Sequence, residues 1–215
     1  MYFRILHDEA GDAMSYLLAD LDAGVAVMID PRSADMATLL AMLDEHRLQL
    51  QWVLRTHEHD IHLPGEAEAL QALGAPRIEH QVPPVNDGLL AFGNEHLRVI
   101  ATPGHTPGCL SFLWRDRLFC GDLLAVDACP YQRRPALPES LWNSVTQKVF
   151  TLPAETLLFS GHAHRARSVS NVLEQRRWHP WFAGASRDEF LSRLAPQSVI
   201  VTRHRHQEQI VKTTK

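Results

Sequence analysis

Three histidines stand close together in the first third of the chain. His57, His59 and His62 occur in the segment Thr56-His57-Glu58-His59-Asp60-Ile61-His62, directly after the apolar run Trp52-Val53-Leu54. A neutral imidazole binds divalent transition metals, and two histidines at i and i+2 lie on the same side of an extended segment. We therefore expect His57 and His59 to bind one metal ion together, in a loop that follows a buried strand.

Three further potential ligands each follow a glycine that comes at or shortly after the end of an apolar run. These pairs are Gly104-His105, Gly121-Asp122 and Gly161-His162. Glycine lets the backbone turn sharply and approach an ion closely. Together with the first segment, the pairs predict a metal site formed by loops at one rim of a sheet system.

A site of this kind would contain about four to six nitrogen and oxygen donors, including one carboxylate, which suits one or two ions such as Zn²⁺, Fe²⁺ or Mn²⁺. The expected donor set contains no cysteine, which argues against a structural zinc site. An open coordination position would then be available for water, dioxygen or substrate.

Simpler explanations remain open for each motif. The three histidines of the first segment are compatible with an exposed loop, Asp122 with a turn, and His162 with a hydrogen-bonding role. We expect His164 to be a neighbour of the site rather than a ligand. The residues expected to orient the imidazoles are Thr56, Glu58, Asp60 and Thr106.

The remaining apolar patterns alternate between strands and helices. Val25 to Ile29 and Leu50 to Leu54 predict two buried strands, and the helical spacing from Met36 to Leu43 places a helix between them, giving a β-α-β unit. Ser186-Arg187-Asp188-Glu189 is a capping box that predicts the start of the last helix. Further strands are predicted at 89–92, 97–101, 109–114, 118–120 and 156–159, further helices at about 64–74, 140–149 and 168–177, and a long loop at 127–138.

Length and composition favour one domain over residues 1–215, with a polar, basic tail from about 202 to 215. A net charge of −4 gives no electrostatic reason to expect nucleic acid or an anionic membrane as a partner. The start Met1-Tyr2-Phe3-Arg4 lacks a signal-peptide pattern, and no long apolar run occurs, so we expect a cytoplasmic protein. The three cysteines Cys109, Cys120 and Cys129 fit no disulfide framework, and we expect them to be reduced and to have packing roles.

The series THxHxxH, PGHTPG, CGD and SGH, in this order and at these intervals, resembles the metallo-β-lactamase superfamily. The resemblance implies an α/β fold, the αββα sandwich, with a metal site at one edge of two packed sheets. Within the superfamily, the chain is similar to the branch of the persulfide dioxygenases and glyoxalase II. The stretches 103–109, 120–124 and 141–153 favour the dioxygenase side.

One departure from the superfamily pattern bears on the number of metals. The pattern HxHxDH has an aspartate where this chain has Ile61, and Asp60 stands one residue early. A shift of one residue reverses the side-chain direction in extended backbone. The resemblance therefore implies an intact first site and an impaired second one. The first site comprises His57, His59, His105 and Asp122, and the residues near the second are Asp60, His62, His162 and His164.

By this resemblance, we expect a non-heme iron-dependent persulfide dioxygenase with one Fe(II). It would use dioxygen to oxidise a low-molecular-weight thiol persulfide, of glutathione or another carrier, to thiol and sulfite. Candidate carrier contacts are Tyr131, Arg133 and Arg134. The alternatives are a zinc-dependent thioester hydrolase resembling glyoxalase II, with Zn or a two-metal site, and a non-catalytic metal-binding sulfur or redox sensor. A homodimer is also left open.

Overall fold

Two sheets packed face to face form the centre of the computed structural model, which describes residues 1–8, 11–58, 66–78, 88–164 and 167–194. The first sheet has the order β1-β2-β3-β4-β5 in the described part of the chain. The β3–β4 and β4–β5 pairs are parallel, and the other two pairs are antiparallel. These strands are β1 (Tyr2–His7), β2 (Met14–Asp20), β3 (Val25–Ile29), β4 (Gln49–Leu54) and β5 (Arg77–Ile78).

The second sheet has the order β11-β10-β9-β8-β7-β6 over the same described ranges. Only its β9–β10 pair is parallel, so these two strands end at the same edge of the sheet. The strands are β6 (Gly88–Phe92), β7 (Glu95–Ala101), β8 (Leu110–Trp114), β9 (Arg117–Gly121), β10 (Leu157–His164) and β11 (Arg167–Asn171).

Helices cover the outer faces of both sheets. Three hydrophobic clusters correspond to the three interfaces of a four-layer structure: Leu39 and Leu43 pack on the first sheet, Leu141 and Phe190 on the second, and Tyr16 and its neighbours fill the space between the sheets. The helices are α1 (Met36–Glu45), α2 (Glu66–Ala72), α3 (Pro138–Ser144), α4 (Val172–Trp178) and α5 (Arg187–Leu194), and a π-helical turn extends α3 over Val145–Val149. The predicted αββα sandwich is confirmed.

Strand β2 contributes side chains to two interfaces, one between the sheets and one with the helix layer. Its side chains are buried throughout, and they alternate between the inter-sheet core, through Tyr16 and Leu18, and the α1 side, through Leu17 and Ala19. At the far end of β2, the Asp20 carboxylate accepts hydrogen bonds at 2.8 and 3.0 Å from the backbone and side-chain nitrogens of Asn94, which belongs to the second sheet's β6–β7 turn.

Most of the predicted elements are confirmed, including the β3-α1-β4 unit and the capping box, in which Ser186 and Glu189 exchange hydrogen bonds. The helix predicted at 168–177 is wrong in its first part. Residues 167–171 form β11, because they pair with β10, and the helix begins only at Val172, where the Asn171 side chain accepts from Glu174 N. Strands β1 and β2 were not predicted. The tail at 202–215 lies outside the described residues.

Among the described residues, no helix has the length and apolar character needed to cross a membrane.

The inter-sheet core generates a prediction about stability. Phe119 is fully buried, and its ring centroid lies 4.9 Å from that of Tyr16 and 5.1 Å from that of Phe159. We expect Phe119→Ala to lower the free energy of unfolding by about 3–5 kcal/mol, measured by chemical denaturation, because a large cavity replaces the ring. Leu89→Ala, at a position that is 75% exposed, is the control and should change it by less than about 0.5 kcal/mol. Equal losses of unfolding free energy in the two variants would contradict this packing.

Candidate metal centre

Four potential ligands meet at one edge of the sandwich. His57 follows β4 of the first sheet, whereas Asp122 follows β9 of the second, and His162 belongs to the last part of β10. His105 lies in the loop between β7 and β8. Both sheets therefore contribute to the same group of side chains, as the pattern of strand ends predicts.

The Asp122 carboxylate is the centre of this group. Its Oδ2 lies 3.3 Å from His57 Nε2, and His162 Nδ1 lies 3.0 Å from Oδ1 and 2.8 Å from Oδ2. The ring centroids of His57 and His105 are 4.9 Å apart. The Asp122 side chain is inaccessible to solvent, and those of His57 and His162 are 10% and 8% exposed. The site is a buried cluster in which His57 and His162 contact one carboxylate and His105 lies beside His57.

Several predicted site residues cannot be placed in this cluster. His59, Asp60, Ile61 and His62 lie outside the described residues, as does the side chain of His164. The structure therefore leaves the roles of these residues as predictions. Thr106, expected to orient an imidazole, contacts Cys109 through both its backbone nitrogen and its hydroxyl.

The loop that contains the candidate carrier contacts packs against His105. Gln132 O lies 3.1 Å from His105 Nε2, the Gln132 side chain donates to His105 O, and Ala136 N donates to the same oxygen at 2.9 Å. Tyr131, Arg133 and Arg134 are exposed on this loop. Their backbone is therefore attached to a residue of the site, while their side chains face solvent.

A chain of hydrogen bonds fixes the orientation of His57. Asp30 accepts from Thr56 N through Oδ1 and from the Thr56 hydroxyl through Oδ2, both at 2.7 Å. Because the hydroxyl proton is used in this way, Thr56 Oγ1 accepts from His57 Nδ1 at 2.9 Å. The proton is thus held on Nδ1, and Nε2 is directed toward Asp122 and can donate its lone pair to a metal once it is deprotonated.

Two glycines allow the loops of the site to approach each other. Gly121 has a φ of 54°, and a Cβ there would lie 2.5 Å from Thr56 Oγ1. A Cβ at Gly161 would lie 2.9 Å from Asp122 Oδ1. Both distances are shorter than real Cβ contacts, so the hydrogen-bonded cluster depends on the absence of side chains at these two positions.

The charges of the cluster stabilise one another. Burial by itself would raise the pKa of Asp122, but attraction to His57 and hydrogen bonds from His162 and His57 hold that pKa well below its usual range. Burial would lower the pKa of His57, whereas the charge of Asp122 and hydrogen bonds to Asp122 and Cys129 raise it well above its usual value. In the metal-free protein, both pKa shifts favour the ion pair of a protonated His57 and an ionised Asp122.

One residue of this centre was missed by sequence reasoning. The potential ligand atoms of His57, Asp122 and Cys129 all lie within 4.8 Å of one another, and Cys129 is fully buried. This arrangement differs from the expected donor set, which held no cysteine. The sequence feature that could have indicated Cys129 is its position shortly after Asp122, in the loop that follows this residue.

These residues fit a divalent transition-metal ion. The described part of the centre offers nitrogen, oxygen and sulfur donors. The raised pKa of His57 favours a protonated imidazole as the positive charge beside the buried Asp122 carboxylate. An ion can take over that charge when the proton leaves.

Comparison with known proteins agrees with this geometry. Residues 60–162 match the family model described as the metallo-β-lactamase superfamily. Human mitochondrial persulfide dioxygenase ETHE1 is 31% identical over 193 residues, which cover 82% of this chain and 74% of that protein. The chain belongs to the metallo-β-lactamase superfamily.

Relatives from two branches of the superfamily have nearly the same sequence identity to this chain. A hydroxyacylglutathione hydrolase of Vibrio cholerae is 32% identical over 200 residues, covering 87% of this chain and 75% of the relative. The crystal structure of ETHE1 from Myxococcus xanthus has a TM-score of 0.78 and 32% identity, with 90% of each chain covered. The predicted branch of persulfide dioxygenases and glyoxalase II-like hydrolases is confirmed.

The hydrogen bonds behind His57 generate a prediction about metal affinity. We expect Thr56→Val and Asp30→Asn each to weaken metal binding by about 10- to 100-fold, since loss of a partner that orients a ligand has this effect. Affinity is measured by competition with a chromophoric chelator. Thr151→Val is the control, because this residue is exposed and its hydroxyl donates to the helix carbonyls of Gln147 and Lys148. Wild-type metal affinity in both Thr56→Val and Asp30→Asn would show that the hydrogen bonds behind His57 are not needed for metal binding.

Proposed function

We propose that this protein is an iron-dependent persulfide dioxygenase. One persulfide, one dioxygen and one water would give one thiol, one sulfite and two protons. The terminal sulfur loses four electrons, which reduce dioxygen, and the sulfur–sulfur bond breaks with the thiol as the leaving group. The substrate would be the persulfide of a low-molecular-weight thiol, such as glutathione or another carrier.

The position of His162 is the observation on which the proposal rests. Its Nδ1 contacts both oxygens of Asp122, so its described contacts suit a residue that orients the carboxylate. The remaining candidate ligands are two imidazoles and one carboxylate, from His57, His105 and Asp122. This donor set is typical of non-heme Fe(II) oxygenases. This arrangement and the sequence departure at Ile61 both favour one ion over two.

In this proposal, His57, His105 and Asp122 hold the iron, with His59 as a further ligand or partner. A bound Fe(II) would supply open coordination positions for persulfide and dioxygen and would take up charge during their reaction. Thr56 keeps the proton of His57 on Nδ1, and His162 keeps Asp122 in place. Burial of these groups excludes bulk water from the side of the centre that they form.

Similarity to persulfide dioxygenases from cattle, human and mouse, at 31–32% identity, supports the same reaction. The second candidate is a zinc-dependent thioester hydrolase, favoured by the comparable identity to the Vibrio cholerae hydroxyacylglutathione hydrolase. That mechanism would use metal-bound water as the nucleophile. The two candidates differ in metal content and in their need for oxygen.

Oxygen uptake tests the proposal directly. Protein loaded anaerobically with iron should consume oxygen with glutathione persulfide or coenzyme A persulfide and release one sulfite for each oxygen. Asp122→Ala should lower the rate more than about 100-fold, beyond the effect typical of a residue that only orients a ligand. Two zinc ions per chain with oxygen-independent hydrolysis of S-lactoylglutathione would support the second candidate. Full iron occupancy without oxygen uptake on either persulfide would refute the dioxygenase.

The exposed arginines of the loop beside His105 generate a prediction about the carrier. We propose that Arg133 and Arg134 bind the anionic part of the carrier thiol, away from the reacting sulfur. Replacing both with glutamine should raise KM about 10-fold, equivalent to about 1.4 kcal/mol, and leave kcat unchanged. Arg177→Gln, an exposed arginine of α4, is the matched control. An unchanged KM in the double variant would show that the carrier binds elsewhere.

A further inference from the structure

The loop between β7 and β8, which contains His105, is hydrogen-bonded to the residues that lead into α3. Leu137 N donates to Gly104 O at 3.0 Å, and Ala136 N donates to His105 O at 2.9 Å. The helix itself also lies against this loop, since a Cβ added at Gly104 would be 2.5 Å from Leu141 Cα. The backbone of α3 and that of the loop are therefore in direct contact.

Two side chains further along the same helical segment bind the start of this loop. The Ser144 side chain is buried, and its hydroxyl donates to Pro103 O at 2.8 Å. The Lys148 ammonium donates to Ala101 O at 2.6 Å, in a hydrogen bond that its positive charge strengthens. Both side chains reach the same loop, as expected for residues four positions apart on a helix. Carbonyl oxygens at the start and at the end of the loop segment before His105 thus accept from one helical segment.

Lys148 lies in the π-helical turn that extends α3. Phe150 N donates to Val145 O at 2.8 Å, which is the five-residue spacing of a π-helix. Turns of this kind are rare and occur frequently at functional sites. Another face of the segment is fixed, because Leu141, Val145 and Val149 are buried in the core on the second sheet. Lys148 is therefore presented to the loop by a well-packed support.

His105 needs support from outside its own loop. Its side chain is buried, but the residue lies between two strands rather than in one, so sheet pairing does not fix its backbone. His57, by comparison, is oriented by its own contact with Thr56. A metal ligand must be held within about 0.5 Å of its productive position. The hydrogen bonds from α3 and its π turn are placed to meet this requirement for His105.

We propose that Ser144 and Lys148 are positioning residues that act on the metal through His105. They hold the carbonyl oxygens that precede His105, so the imidazole enters the centre at a fixed place, and neither side chain touches the ion. Loss of either donor would leave a carbonyl oxygen without its partner and allow the loop to shift. This inference rests on the proposed function only in requiring a metal at this centre with His105 as a ligand. It also gives a role to residues 141–153, which the sequence pattern singled out.

Metal affinity in combined variants tests whether these residues act through His105. Co²⁺ affinity, measured by competition with a chromophoric chelator, should fall about 10-fold in Ser144→Ala and in Lys148→Met. In the background of His105→Ala, where no imidazole remains to be positioned, each substitution should change the affinity by less than about 2-fold. In the background of Thr56→Val, which acts through His57, the effect of about 10-fold should remain.

Two control variants separate positioning from a general loss of stability. Thr146→Val removes a hydroxyl of the same helical segment that donates to Trp142 O. Asn94→Ala removes the contacts with Asp20 at the far end of β2. Both controls should keep the wild-type Co²⁺ affinity, and the free energy of unfolding of every variant is measured by chemical denaturation, so that affinities are compared at a known loss of stability.

Three results would overturn the inference. These are unchanged affinity in both Ser144→Ala and Lys148→Met, an equal loss of affinity in the controls, and a loss that persists in the His105→Ala background. A wild-type protein that takes up no Co²⁺ would also overturn it. Iron-loaded wild-type protein is assayed for oxygen uptake in parallel. Oxygen uptake with any of the three results would reject the positioning role and leave the proposed reaction intact, whereas the expected affinities without oxygen uptake would support the positioning role and refute the dioxygenase.

Discussion

The negative charge of Asp122 lies where the two sheets meet, and its side chain is inaccessible to solvent. A buried carboxylate is costly unless opposite charge and hydrogen bonds compensate for it. Here His57 from the first sheet and His162 from the second provide this compensation. The centre is thus an electrostatic link between the two sheets, and a divalent ion at the same position would strengthen that link. Metal binding and the packing of this edge are physically coupled.

The topology explains why such a link can form. The parallel pair β9–β10 places Asp122 and His162 at one end of the second sheet, and the parallel pair β3–β4 places Asp30 and Thr56 together at the end of the first. The Tyr16 hydroxyl donates to Ser160 O at 2.5 Å and joins the sheets one residue before Gly161. Backbone pairing therefore positions the polar groups, and the inter-sheet aromatic core holds the two ends in register.

Local pattern predicted much of the fold and part of the centre. Strong apolar periodicity revealed β3, α1 and β4, and the glycine-ligand pairs revealed His105, Asp122 and His162. Strands β1 and β2 were missed because exposed residues of β1 do not alternate regularly with less exposed ones, and β2 is buried on both faces. The strand β11 depends on its pairing with β10. The contacts of Asp30 with Thr56 and of Cys129 with His57 join distant parts of the chain, and no local pattern contains them.

Asp30 also has a left-handed backbone conformation, with a φ of 49°. Glycine would adopt this conformation at a lower energetic cost, but it has no carboxylate with which to hold Thr56. The backbone conformation of Asp30 lowers the stability of the fold, whereas its carboxylate orients Thr56 beside the candidate metal centre. One residue therefore combines a cost in stability with a role in positioning the site. Efforts to make this protein more thermostable by relaxing its backbone would meet a stability–activity trade-off at this position.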